Sequence, residues 1–158
     1  MTNTIYVANS GSSGGAVSVL SGRTNTVTKT IALGTALPDQ MTANPDTDTV
    51  YVTSEFPSNT VVVISGQAGT VTKTIPVGAT SLPLGIAANP ATNTVYVANS
   101  GNATVSLISG QTSTVTATIP AGSDPHGIAV DPKTNRAYVA NFSKGDLPGH
   151  TVSVLASC

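Results

Sequence analysis

At 158 residues the chain is long enough for one domain with a buried core, and its 8% of charged residues is too few for a disordered segment. Six Lys plus Arg and a formal net charge of −1 leave no basic field for nucleic acid or an anionic membrane, and no run of about 18 apolar residues exists to insert in a bilayer. Hydrophobic residues reach 39% with only 4% aromatics; Val and Thr, both β-branched, fill much of the difference and favour strands.

The first strand signal is Thr4-Ile5-Tyr6-Val7-Ala8-Asn9, directly after Met1 and with no charged-then-apolar signal segment ahead of it. The same segment returns at Thr49–Ser54, Thr94–Asn99 and Arg136–Asn141. Its tyrosines stand at 6, 51, 96 and 138, steps of 45, 45 and 42 residues, which is the signature of a stacked-unit architecture. Where the copies agree, the residues serve the scaffold. Where they differ, something else is being specified.

One full unit runs from Leu84 to Gly122. Gly85-Ile86-Ala87-Ala88 predicts a short strand A. Asn89-Pro90-Ala91-Thr92-Asn93 is a tight turn, and Thr94–Asn99 is strand B. After Ser100-Gly101-Asn102 comes strand C, Thr104–Ser109. A turn at Gly110-Gln111-Thr112-Ser113 leads to strand D, Thr114–Ile119. Four short strands joined by hairpin-length loops make an antiparallel meander. Strand B carries Val95, Tyr96 and Val97 in succession, which predicts burial on both faces for it and for all four tyrosines. Strand D alternates Val115, Ala117, Ile119 with Thr116, Thr118, as a half-exposed strand does. Small residues in A, apolar B and alternating D describe a β-propeller blade, with A nearest the axis. A parallel β-helix is the structural competitor; it needs a much shorter repeat and lacks Asn-Pro hairpins at this interval.

The fold class expected is therefore all-β, a propeller of four-stranded antiparallel blades. The chain supplies about 3.5 of them in fourteen strands: BCD over 4–33, ABCD over 40–77, ABCD over 84–120 and ABC over 126–156. Tyr-Val-Ala-Asn-Ser-Gly and Gly127-Ile128-Ala129-Val130-Asp131-Pro132-Lys133-Thr134-Asn135-Arg136-Ala137-Tyr138-Val139-Ala140-Asn141 resemble the YVTN-type β-propeller repeat. Residues 41–54 depart most, with Thr53-Ser54 in place of Ala-Asn. The resemblance covers essentially the whole chain. It implies a scaffold of the kind found in bacterial and archaeal surface-layer and other exported proteins, hence an extracellular or cell-surface setting.

The strand order leaves three ways to complete the fold: a small four-bladed ring, a ring completed by a second copy, or a piece of a longer propeller. An open arc exposes apolar flanks and unpaired strand edges, so a homo-oligomer is expected, with the chain itself as partner. Two chains supply 28 strands, and an approximately eight-bladed dimer fits the strand order better than seven blades of four. The single cysteine, Cys158, excludes an internal disulfide and reads as a tail thiol, or as a crosslink between chains under oxidising conditions.

In a blade, the A–B and C–D turns share one face of the ring, and here they repeat monotonously as turn chemistry requires. The D–A and B–C loops share the other face and vary. At the start of strand A the copies align as Pro38-Asp39-Gln40, Pro83-Leu84-Gly85 and Pro125-His126-Gly127, so Asp39, Leu84 and His126 share one position. Glu55, Phe56, Asp124, Phe142, Lys144, Asp146 and His150 fall on or beside this face, which is formally −3. Loops on a rigid scaffold concentrate binding residues. These ten residues are therefore the candidate binding site, for a neutral or cationic group on a glycan or peptide; acidic loops that merely aid solubility are the plain alternative.

Catalytic signatures are missing. There is no phosphate loop before a helix, no Gly-x-Ser-x-Gly elbow, and only two histidines where a His-rich metal site needs about three protein ligands. No cofactor or metal is expected. The leading expectation is a non-catalytic scaffold or binding module. The alternatives are a self-assembling layer or filament subunit and a metal-dependent lyase-like propeller, since Pro125-His126-Gly127-Ile128 resembles the start of strand A in such enzymes.

Overall fold

The computed structural model describes residues 3–11, 14–55, 57–142 and 150–156. It contains fourteen strands and, among the described residues, no helix. Blade 1 is β1 (Thr4–Asn9), β2 (Ala16–Ser21) and β3 (Thr26–Ala32). Blade 2 is β4 (Pro38–Asn44), β5 (Thr49–Ser54), β6 (Thr60–Ser65) and β7 (Thr70–Pro76). Blade 3 is β8 (Pro83–Asn89), β9 (Thr94–Asn99), β10 (Thr104–Ser109) and β11 (Thr114–Pro120). Blade 4 is β12 (Pro125–Asp131), β13 (Arg136–Asn141) and β14 (Thr151–Ala156). Each blade is a separate antiparallel meander whose spatial order follows chain order. The blades thus read BCD, ABCD, ABCD and ABC.

Turn chemistry sets this register. The C–D turns place Asn25, Gly69 and Ser113 at φ 56°, 60° and 52°, each with its amide donating to the carbonyl of Ser21, Ser65 or Ser109. The A–B turns place Asp48, Asn93 and Asn135 at φ 49°, 50° and 55°, a conformation that short polar side chains tolerate. In those turns Asn44 and Asn89 accept from the amides of Asp46 and Ala91 through Oδ1. Every C–D pair also carries a bulge, at Val19/Leu20, Val63/Ile64 and Leu107/Ile108. At the bulge the hydroxyls of Thr28, Thr72 and Thr116 donate to the carbonyls of Val19, Val63 and Leu107. A bulge adds local twist, which a blade needs.

The Asn that closes strand B clamps it to strand C. Asn99 Nδ2 donates to Ser106 Oγ at 2.9 Å, Asn141 Nδ2 to Ser153 Oγ at 2.9 Å, and Asn9 Nδ2 to Ser18 Oγ at 2.8 Å. Blade 2 lacks both partners: Ser54 replaces the Asn and Val62 the Ser. The pair is lost as a unit, so no lone polar group is buried at Val62.

Three cores lie between blades. Val17, Ile31 and Leu33 of blade 1 pack on Val50, Val52 and Ile64 of blade 2. Tyr51, Val61 and Val63 of blade 2 pack on Ile86, Val95, Val97 and Ile108 of blade 3. Tyr96, Ala98 and Val105 of blade 3 pack on Ala137 and Val139 of blade 4. The A strand β8 neighbours both β4 and β12, so the A strands lie side by side. At Gly85 a Cβ would run into the carbonyl of His126, so only Gly fits there.

The expectation that strand B is buried on both faces holds for β5 and β9 and fails for β1 and β13. Tyr51 and Tyr96 are each 1% exposed, whereas Tyr138 is 38% exposed and Tyr6 only half-buried. The reason is position. Blades 2 and 3 have a neighbour on both sides; blades 1 and 4 have one each. Ile5, Val7 and Val27 on one flank, and Tyr138, Val152 and Val154 on the other, therefore meet solvent.

Candidate binding face

Hydrogen bonds confirm which loops share a face. The amides of Ser100 and Gly101 donate to the carbonyls of Leu82 and Ser81, and the Phe142 amide donates to the Asp124 carbonyl, joining B–C to D–A loops. On the opposite face, the amides of Gly22, Gly66 and Gly110 donate to the carbonyls of Asn3, Asp48 and Asn93, joining C–D to A–B turns.

Pairing also confirms the shared position at the start of strand A. Pro38 lies opposite Ser54, Pro83 opposite Asn99 and Pro125 opposite Asn141, so Asp39, Leu84 and His126 follow at equivalent points. All three pairs then slip by a bulge, which frees these residues from the ladder. Asp39 and His126 are exposed; Leu84 is half-buried.

The candidate residues gather in two places. Between blades 1 and 2, Ser10, Leu37, Pro38, Asp39 and Glu55 line a cleft of about 270 Å³. In blade 4, His126 Nε2 lies 3.3 Å from Asp124 Oδ1. The ring of Phe142 stands 5.2 Å from that of His126 and 5.6 Å, edge-on, from that of His150. Asp124 is buried, at φ 51°, while both histidines and Phe142 are exposed. Phe56, Lys144 and Asp146, most of the segment Ser143–His150, and Cys158 lie outside the described residues.

The described part of the face carries three carboxylates, Asp39, Glu55 and Asp124, and no Lys or Arg. The other cations are engaged elsewhere or face away. Lys29 and Lys73 reach across the rim to the carbonyls of Ala68 and Thr112 in the next blade. Arg23, Lys133 and Arg136 lie on the A–B/C–D face. Among the described residues no three His, Cys, Asp or Glu side chains come close enough to hold a metal ion.

Two contributors escaped the sequence reading. Ser10 and Leu37 complete the cleft, and nothing in their residue types marks them. Thr53 was visible as a departure from the repeat, and the structure gives its reason. Its hydroxyl meets both the amide and the carbonyl of Gln40, at 3.0 and 3.1 Å, and donates to the Leu84 carbonyl at 2.9 Å. Thr53 thus fastens the strand-A starts of blades 2 and 3, where Asp39 and Leu84 sit.

No protein-family model matches the chain, and no curated protein does. Solved structures do. Hydrazine synthase from Kuenenia stuttgartiensis superposes with a TM-score of 0.85 at 23% identity over 98% of this chain and 43% of the other. A functionally unknown protein from Desulfotomaculum acetoxidans DSM 771 superposes with a TM-score of 0.76 at 17% identity over 97% of this chain and 51% of the other. The fold is a partial β-propeller. The chain spans about half the length of the solved structures it matches, and likeness at this identity speaks to fold alone.

Proposed function

We propose that the chain is a non-catalytic propeller scaffold of the YVTN-repeat type that binds a partner through its D–A and B–C loop face. The observation that carries this reading is the cleft between blades 1 and 2, where Asp39 and Glu55 line one depression and the described part of the face offers no cation. A neutral or cationic group on a peptide or glycan is the ligand class that such a cleft favours. The YVTN resemblance rests on the four Tyr-Val segments, which occupy equivalent strands.

An array of short peptides spanning negative to positive net charge, together with neutral glycans, tests the reading. Cationic peptides or neutral glycans should be retained. Retention of cationic peptides should fall at least tenfold in the Asp39→Asn/Glu55→Gln variant and weaken with salt. Equal retention by the native chain and this variant, or a preference for acidic peptides, would refute it.

A further inference from the structure

The two solvent-facing flanks are not generic apolar patches. They are the two halves of the contact that the molecule already makes three times between its own blades. Each internal seam pairs a tyrosine-bearing face with a face of Val, Ile or Ala from the flanking positions of the next strand B. At the seam of blades 3 and 4, Tyr96 opposite Leu107 and Ala98 opposite Val105 form the first half. In blade 4 the same register places Tyr138 opposite Val154 and Ala140 opposite Val152, with Val152 63% exposed. The receiving half in blade 3 is Val95 opposite Ile108 and Val97 opposite Ser106. In blade 1 it is Ile5 opposite Leu20 and Val7 opposite Ser18, with Ile5 45% exposed.

A polar ladder crosses the seams as well. Asn44 Nδ2 donates to Asn93 Oδ1 at 2.9 Å, and Asn89 Nδ2 donates to Asn135 Oδ1 at 2.7 Å. Each blade's last strand-A residue thus reaches the A–B turn of the next. In blade 4 that donor is replaced by Asp131, which has only acceptors to offer. The residue at the receiving point in blade 1 is Asn3, seated against Gly22 as Asn93 is against Gly110. Its amide can supply the proton that Asp131 cannot. Across a fourth seam Asn3 would donate to Asp131, the ladder continuing with donor and acceptor exchanged.

We infer that a second copy of this chain covers both flanks, head to tail: the Tyr138 face of each copy docks on the Ile5–Val7 face of the other, closing a two-copy ring of eight blades. The contact is continuous with the internal seams in residue type, register and polar ladder. One copy closing on itself would bury the two flanks against each other, and both are exposed. Propellers span about four to eight blades, so two copies reach the upper limit and three exceed it. A head-to-tail contact is heterologous; it closes only if the rotation per copy completes the circle. The inference is independent of what the loop face binds.

Light scattering on the size-fractionated chain should give twice the single-chain mass. Tyr138→Asp and Ile5→Lys should each reduce it to one chain, with far-UV circular dichroism unchanged because both side chains are exposed in the isolated chain. Mixing the two variants should restore a 1:1 pair. One of its seams is native, and the other sets the introduced acid against the introduced base. A single-chain mass for the native protein would overturn the inference. So would a pair that survives both variants, a mixture that fails to re-form, or open-ended growth.

Discussion

Tyr96 and Tyr138 sit at the same register on the same strand of the same motif, Tyr-Val-Ala-Asn. One is 1% exposed and the other 38%. Burial pushes the hydroxyl pKa of Tyr96 up, as it does for Tyr51 in blade 2. The interior blades and the outer blades are thus nearly one sequence in two environments. The difference teaches that a propeller blade has no core of its own: its apolar side chains are buried only by the next blade. The same holds for the polar seams. Asn44 and Asn89 each accept from an amide of their own turn and also donate to a following blade, whereas Asp131 accepts from the Lys133 amide and the Thr134 hydroxyl and has no proton to donate.

The sharpest way to break this comparison is to truncate both tyrosines. Tyr96→Ala should destabilise by about 3–5 kcal/mol, as deletion of other buried aromatics does. Tyr138→Ala should stay within about 0.5 kcal/mol when urea unfolding is followed at concentrations low enough for single chains. Equal losses would mean that blade 4 is covered in the single chain. A smaller effect sharpens the link between seam and binding face. Thr53→Val removes the hydroxyl that joins Gln40 to Leu84 and should cost about 0.5–1.5 kcal/mol, the ordinary worth of a hydrogen bond whose partners are only partly buried. Ligand retention at the Asp39 cleft should fall with it, while the His126 cluster keeps its proton shifts.

The smallest effect concerns the outermost ladder residue. The Thr134 hydrogen bond, foremost, and the Lys133 amide hold the Asp131 carboxyl below its ordinary value of 3.8. A lowered folded-state pKa contributes stability that is present above the unfolded value and is lost as pH falls through the folded one. Thr134→Val should therefore bring the Asp131 carboxyl back up toward 3.8 in an NMR titration, remove a small part of the stability above about pH 5, flatten the acid limb below that, and change nothing once the carboxyl is protonated in both states. An unmoved titration would show that the Lys133 amide alone suffices.

Much of this was legible in the residues. Four Tyr-Val segments spaced by 45, 45 and 42 announced a blade repeat, and the A–B turns and the BCD–ABCD–ABCD–ABC order follow in the structure; the alternating D strand appears in β11, while β3 and β7 are exposed at all but one position. The alignment of Asp39, Leu84 and His126 was also readable, because each follows a proline opposite the end of strand B. What could not be read is who covers whom. Tyr138 looks like Tyr96 in sequence, since burial depends on a neighbour and not on the motif. Ser54 in place of Asn is visible in the sequence, but only the bond from Asn99 to Ser106 explains why Val62 stands where the other blades carry Ser. Ser10 and Leu37 carry no chemical mark; they line the cleft only because two loops distant in sequence converge.

Local chemistry therefore wrote the strands, their turns and the face on which variation is tolerated, since these depend on residues a few positions apart. Three-dimensional packing settled which apolar faces became core, which carboxylates share a cleft, and why Thr53 departs from its repeat. Those outcomes depend on distances between residues that the repeat places in different blades, and no spacing along the chain encodes them.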